Sequence, residues 1–167
     1  LGPEMKSTGE VMGIGKTFGE AYSKAQAAAG DPIPEKGCVF VSVRDADKSQ
    51  LPELAQDLLD LGFSIFATRG SARTIADAGM DVQIVNKVIE GRPHVVDMLK
   101  NNQIDFIINT TEGKQAIADS FTIRRTALQQ KVCYTTTMAG GRASIAAVRH
   151  GADISVHRLQ DLHISVS

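Results

Sequence analysis

From Gly37 onward, short β-branched segments alternate with amphipathic segments. Apolar residues recur at helical spacing between the β-branched segments, for example at Leu51, Leu54, Ala55, Leu58 and Leu59. Five strands separated by helices favour parallel pairing through right-handed crossovers, so the pattern predicts a three-layer α/β/α, doubly wound, five-stranded parallel sheet. The five predicted strands are CVFVSV (38–43), SIFAT (64–68), VQIVN (82–86), DFIINT (105–110) and VCYTTT (132–137).

Two helix details follow from the same pattern. Ser49 is placed to cap the helix that begins near Leu51, because its hydroxyl can accept a backbone N–H. Ile117, Phe121 and Leu128 mark the apolar face of a later helix, in which an interruption near Ser120 remains open.

The first part of the chain differs from the rest. Its opening stretch, LGPEMKSTGEVMGIG, has neither the helical nor the strand period and no initial Met, which suggests a piece of a longer polypeptide. Thr17 and Glu20 form a capping box that predicts a helix, and GDPIPEKG (30–37) predicts a linker. We therefore expect residues 1–36 to be the tail of an upstream unit with a helix and linker, and residues 37–167 to form the α/β domain.

Charge and composition narrow the range of partners. Eighteen Lys and Arg against nineteen Asp and Glu give a net charge of −1, so neither nucleic acid nor a membrane surface is expected to bind, and any anion site must be local. Cys38 and Cys133 each lie in an apolar segment, as reduced thiols of a cytoplasmic protein do. His150, His157 and His163 are spaced too irregularly for a metal site.

Polar residues follow each of the first four predicted strands. In a doubly wound sheet, ligands bind beyond the carboxyl ends of the strands. Lysines, hydroxyls, and glycine turns that lead into helices suit a phosphate group, although a Thr or Ser here is also typical of a helix N-cap and a lone Lys of a solvated surface. The residues are Lys48; Thr68, Arg69, Gly70 and Ser71; Asn86 and Lys87; and Asn109, Thr110, Thr111, Glu112 and Gly113.

Four long segments carry a family resemblance that covers essentially the whole chain: LGPEMKSTGEVMGIGKTFGEA, NKVIEGRPH, INTTEGKQAIADSFTIRRTALQ and TTMAGG. They resemble the C-terminal part of the carbamoyl phosphate synthetase large subunits, which is a methylglyoxal-synthase-like (MGS-like) allosteric domain preceded by the end of the second ATP-grasp unit. The resemblance implies a non-catalytic regulatory domain within a cytoplasmic, glutamine-hydrolysing, ATP-dependent ligase of pyrimidine and arginine biosynthesis.

The resemblance also implies ligands and partners. UMP as inhibitor and IMP as activator would bind at Lys48, Thr68, Ser71, Lys87, Asn109 and Thr111. Ornithine would bind at Asp119, Thr136 and the backbone of Leu1, together with the upstream domain. No cofactor or metal is expected in this chain, whereas ATP, Mg²⁺ and K⁺ would belong to the other domains. The protein partners would be the rest of the large chain and the glutaminase small subunit.

The chain departs from the family pattern at two positions, and two other functions are alternatives to the regulatory domain. Ser71 stands where threonine is common in the family, and Arg69 where some relatives carry histidine. A methylglyoxal synthase acting on dihydroxyacetone phosphate would need a carboxylate base in a Gly-Gly-Asp-Gln run after the fourth strand, where this chain offers only Glu112. The cyclohydrolase domain of purine synthesis is similar in its first strands and helix, but that similarity fades after Gly79.

Overall fold

The predicted five-stranded sheet is present. A computed structural model describes residues 11–110, 114–151, 156, 158, 160 and 161. All strand pairs are parallel, and the strand order is β3-β2-β1-β4-β5. The strands are β1 (Gly37–Ser42), β2 (Phe63–Ala67), β3 (Gln83–Ile84), β4 (Phe106–Asn109) and β5 (Cys133–Thr135).

Helices connect consecutive strands, as a parallel sheet requires. None of the described helices is long and apolar enough to span a membrane. The α-helices are α1 (Phe18–Ala28), α2 (Leu51–Asp60), α3 (Arg69–Asp77), α4 (Val95–Lys100), α5 (Lys114–Gln129) and α6 (Met138–His150), and the 3₁₀ helices are Asp45–Gln50 and Val88–Glu90.

The strand order reverses between β1 and β4. Phe40 of β1 pairs with Phe66 of β2 on one side and with Ile107 of β4 on the other. The chain therefore builds outward through β2 and β3, and then returns past β1 to add β4 and β5. Doubly wound sheets leave a crevice at such a reversal, because the crossovers on either side pack on opposite faces.

Alternation along β1 supplies both halves of the core. Val39 and Val41 point to the face covered by α2, α3 and α6, whereas Phe40 points to the face covered by α4 and α5. All three side chains are fully buried. The sheet is thus covered on both faces, which explains why its strands are almost continuously apolar.

The predicted cap at Ser49 is wrong. Residues Asp45–Gln50 form a 3₁₀ helix that runs directly into α2, and Gln50 at the N-cap makes no side-chain capping bond. The preceding turn keeps the backbone helical, so Ser49 never adopts the extended conformation from which an N-cap side chain reaches forward.

The predicted apolar face of α5 is also wrong at Phe121 and Leu128, while the side chain of Ile117 lies outside the described part, and α5 continues through Ser120 without an interruption. Phe121 and Leu128 are 68% and 78% exposed, while Ile123 and Ala127 are 6% and 0% exposed. Helical residues two apart point about 200° away from each other, so a helix that buries Ile123 must expose Phe121. Helix α5 carries two apolar stripes, and packing against the sheet buries the one that contains Ile123 and Ala127.

The first helix forms where the capping pattern predicts it. Thr17 Oγ1 accepts a hydrogen bond from Glu20 N at 3.2 Å, while the Glu20 carboxylate accepts one from Lys16 N at 2.7 Å. Helix α1 packs on α6 so closely that a Cβ on Gly19 would lie 2.4 Å from Ala146 O. The division of the chain at residue 36 stays a prediction.

Candidate functional site

A cavity of about 390 Å³ opens at the carboxyl edge of the sheet. It lies at the ends of β1, β2 and β4, beside the reversal of strand order, where the topology predicts a ligand. Its described lining residues come from the ends of β1 and β4, from the segments that follow the first four strands, and from α3, α4 and α5: Phe40, Ser42, Val43, Arg44, Asp45, Lys48, Thr68, Gly70, Ser71, Lys87, Val95, Asn109, Thr110, Asp119, Ser120 and Ile123.

Two lysines supply positive charge to the cavity. Lys48 comes from the 3₁₀ helix after β1 and Lys87 from the loop after β3, so residues far apart in sequence meet here. The Lys48 ammonium lies 2.6 Å from Asp45 Oδ1. No ion pair joins Lys87 to any residue in the described part of the chain. These two ammonium groups would attract an anion.

The start of α3 faces the same cavity. Thr68 occupies the N-cap but makes no side-chain capping bond, so the first N–H groups of α3 are not capped by it. The positive end of the helix dipole and these N–H groups favour an anion at this position. The chemistry of the turn Thr68–Ser71 is therefore that of an anion site rather than of an ordinary helix cap.

The hydroxyls of this turn are held in fixed positions. Ser71 Oγ accepts a hydrogen bond from Val43 N at 3.0 Å, which ties α3 to the end of β1. Thr68 Oγ1 lies 3.3 Å from Ser42 Oγ and 3.4 Å from Ser71 Oγ. Because a hydroxyl both donates and accepts, Ser71 can accept from Val43 and still donate its proton to a ligand.

A buried polar cluster fixes Asn109 at the end of β4. Asn109 Nδ2 donates to Tyr134 Oη at 2.8 Å and to Ser120 Oγ at 3.1 Å, and the two hydroxyls lie 3.2 Å apart. The Arg124 guanidinium lies over the Tyr134 ring, 5.5 Å from its centroid. Both amide hydrogens of Asn109 are thereby engaged, so the side chain enters the cavity in one orientation.

A second ion pair, between Arg44 and Asp47, borders the cavity. Arg44 Nε donates to Asp47 Oδ2 at 2.9 Å, and Arg44 N donates to Thr110 Oγ1 at 3.0 Å. The hydrogen bond from Arg44 is the largest cause that lowers the pKa of Asp47, against the raising effect of burial. This arrangement links the β1 loop to the β4 loop and holds the rim of the cavity together.

A family profile described as the MGS-like domain matches residues 50–136. That is more than half of the chain. The chain belongs to the MGS-like domain family. The matched segment carries the start of α3, Lys87 and Asn109, so most of the cavity lies within it.

Curated relatives of this MGS-like domain match it along essentially its full length. The "Carbamoyl phosphate synthase large chain" of Pseudomonas aeruginosa is 58% identical over 99% of this chain, and that of Halomonas eurihalina is 56% identical over 100%. The chain spans about 16% of the length of each of these two relatives. The family resemblance stated from the sequence is confirmed.

A solved structure confirms the fold. The methylglyoxal synthase from Elizabethkingia anophelis superposes with a TM-score of 0.53 over 79% of this chain and 92% of its own, at 16% identity. At that identity the similarity concerns the fold alone. Glu112, which the sequence offered as a candidate catalytic base, lies outside the described residues.

The structure brings together most of the residues that the sequence predicted for a nucleotide phosphate. The five that line the cavity of the MGS-like domain are Lys48, Thr68, Ser71, Lys87 and Asn109. The sixth, Thr111, lies outside the described residues.

The structure does not bring the three residues predicted for ornithine together at one site among the described residues. Asp119 lines the same cavity as the predicted phosphate residues. Thr136 is exposed after β5 and is not among the described residues of the cavity lining, and Leu1 lies outside the described part. A separate ornithine site at these positions stays a prediction.

Several lining residues were not singled out from the sequence. Ser42 ends β1 and Arg44 and Asp45 follow it, where the strand-end rule draws attention only to the whole loop. Ser120 comes from the middle of α5, and no sequence signal marks it as a cavity residue. Arg69, in contrast, is exposed and is not among the described residues that line the cavity.

Proposed function

We propose that this MGS-like domain binds phosphorylated nucleotides as effectors and regulates a carbamoyl phosphate synthase large chain of which it is a part. The supporting observation is convergence: five residues from the carboxyl ends of four strands and the segments after them, chosen by their chemistry, line one cavity. A phosphate would bind between Lys48, Lys87 and the start of α3, where ammonium groups, N–H groups and hydroxyls all donate hydrogen bonds.

The remainder of the cavity suits a nucleoside. Its volume of about 390 Å³ falls within the range of small-molecule pockets. Phe40, Val95 and Ile123 provide apolar walls for a flat base, and the Asp119 carboxylate can accept hydrogen bonds from hydroxyl groups of a ribose. A mononucleotide such as UMP or IMP has this combination of charge, hydroxyls and an apolar ring.

The regulatory part of the proposal extends to the whole synthase. UMP would inhibit and IMP and ornithine would activate a cytoplasmic, glutamine-hydrolysing ligase of pyrimidine and arginine biosynthesis that also contains the small subunit and uses ATP, Mg²⁺ and K⁺ in other domains. An effector shifts such an equilibrium by its difference in affinity between two states, commonly about 1–3 kcal/mol. The methylglyoxal synthase alternative is not favoured, because the relatives that match the whole chain carry the synthase name.

Calorimetric titration of the chain with UMP, IMP, ornithine and inorganic phosphate tests the binding step. Lys87→Gln should weaken UMP about 10- to 100-fold, because a charge-assisted hydrogen bond contributes about 1.5–3 kcal/mol. Lys100→Gln is the matched control, since Lys100 is an exposed lysine at the end of α4 and is not among the described residues that line the cavity. Equal losses in both variants, or binding of none of the four ligands by the unaltered chain, would refute the proposal.

The full-length synthase tests the regulatory step. With Lys87→Gln, UMP at concentrations that inhibit the unaltered enzyme should no longer change the rate of carbamoyl phosphate formation. Undiminished inhibition would show that the cavity is not the regulatory site. Competition between ornithine and UMP for the isolated chain would further show whether Asp119 serves both ligands.

A further inference from the structure

The position of the Lys48 ammonium is set by two neighbours. Asp45 Oδ1 lies 2.6 Å from Lys48 Nζ, one turn earlier in the same 3₁₀ helix. A Cβ on Gly70 would lie only 3.3 Å from Lys48 Nζ, so the ammonium rests directly against the first turn of α3. Lys48 therefore already holds a carboxylate on the ammonium group that would bind a phosphate oxygen.

Asp45 begins the 3₁₀ helix and, apart from its contact with Lys48, extends into solvent. Its side chain is 92% exposed, whereas that of Asp47, two residues later, is 12% exposed and bonded to Arg44. The hydrogen bond and then the charge of Lys48 lower the pKa of Asp45, burial opposes them, and the charge of Lys87 adds a lesser lowering effect. Asp45 is thus ionised at neutral pH, and its negative charge is attracted by both lysines of the cavity.

We propose that Asp45 is a built-in competitor for anionic ligands, which occupies Lys48 in the ligand-free domain and so sets the affinity of the cavity. The inference rests on the proposed phosphate site. A phosphate oxygen bonded to Lys48 would lie within about 5 Å of the Asp45 carboxylate, because each shares one ammonium at hydrogen-bonding distance. An entering anion must therefore displace Asp45 or bind against its repulsion.

Removal of the Asp45 charge should tighten binding. Asp45→Asn is expected to lower the dissociation constants of UMP and inorganic phosphate about threefold to tenfold at 0.15 M salt, given the repulsion of a screened dianion and a carboxylate at this separation. Asp45→Glu, which keeps the charge and the reach to Lys48, should bind within about twofold of the unaltered chain.

Two controls separate local competition from general charge. Asp77→Asn removes the same charge from an exposed carboxylate in α3, whose Oδ2 lies 3.8 Å from Arg73 Nε, and should leave both dissociation constants unchanged. Asp77 is not among the described residues that line the cavity. In a Lys48→Gln background, Asp45→Asn should lose most of its benefit, since there is no ammonium left to release.

Calorimetry with UMP and inorganic phosphate distinguishes the outcomes. Tighter binding by Asp45→Asn than by the unaltered chain, with Asp77→Asn unchanged, supports the inference. Equal affinity in Asp45→Asn and the unaltered chain overturns the inference and leaves the phosphate site standing. Absence of binding in both overturns the inference together with the proposed function.

Discussion

The Ser71 hydroxyl joins α3 to β1, and its removal should destabilise the domain. Ser71 is 1% exposed, and its Oγ accepts a hydrogen bond from Val43 N at 3.0 Å. Ser71→Ala would leave this buried N–H without a partner, which costs about 1–3 kcal/mol of unfolding free energy. For a chain of this size, each kcal/mol should lower Tm by about 2–4 °C.

A second buried serine provides the matched control. Ser144 is 0% exposed, and its Oγ only donates to Gly140 O within α6, at 3.0 Å. That carbonyl keeps its helical bond when the hydroxyl is removed, and alanine is the better helix former. Ser144→Ala should therefore change the unfolding free energy by less than about 0.5 kcal/mol.

Urea unfolding followed by far-ultraviolet circular dichroism measures both variants, because the chain has no Trp and two Tyr. Ser71→Thr keeps the hydroxyl and should retain most of the stability that Ser71→Ala loses. Equal losses in Ser71→Ala and Ser144→Ala, or no loss in either, would refute the role assigned to the Val43 bond.

Two further predictions concern α5 and β5. Ile123→Ala should cost about 2–5 kcal/mol of unfolding free energy and Phe121→Ser less than about 0.5 kcal/mol, because the first is buried and the second exposed; a reversed order in urea unfolding would contradict the observed face. Burial raises the pKa of the Cys133 thiol from 9.0 to about 12, so the folded state keeps this proton at pH values where the unfolded chain has lost it. The stability that the neutral thiol contributes is therefore complete below pH 9 and is lost as the pH rises toward about 12. Between pH 8 and pH 10, Cys133→Ala should spare about 1.4 kcal/mol of this loss, and equal losses in the variant and the unaltered chain would count against a buried neutral thiol.

Much of the site was predictable because its chemistry follows the ends of strands. Lys48, Thr68, Ser71, Lys87 and Asn109 all lie at the ends of strands that alternation or β-branching reveals, or in the segments that follow them. A parallel sheet places such positions at one edge, whatever the order of its strands. Local pattern and one topological rule were therefore sufficient for these residues.

Asp45, Asp119 and Ser120 show where this reasoning stops. Asp45 stands three residues before Lys48, but only the 3₁₀ turn brings the two charges to 2.6 Å. Asp119 and Ser120 lie within a helix rather than after a strand, and they line the cavity because α5 packs beside the end of β4. Contacts of this kind depend on how elements pack, which no periodicity encodes.

The sequence by itself determined the alternation of strands and helices, the parallel sheet and the phosphate-like chemistry at its edge, because side-chain period and turn chemistry are local properties. The tertiary structure alone decided the order β3-β2-β1-β4-β5, which locates the cavity beside β1 and β4. It also decided that α5 buries Ile123 and exposes Phe121. Both apolar stripes of that helix can bury surface, and only contact with the completed sheet determines which one does.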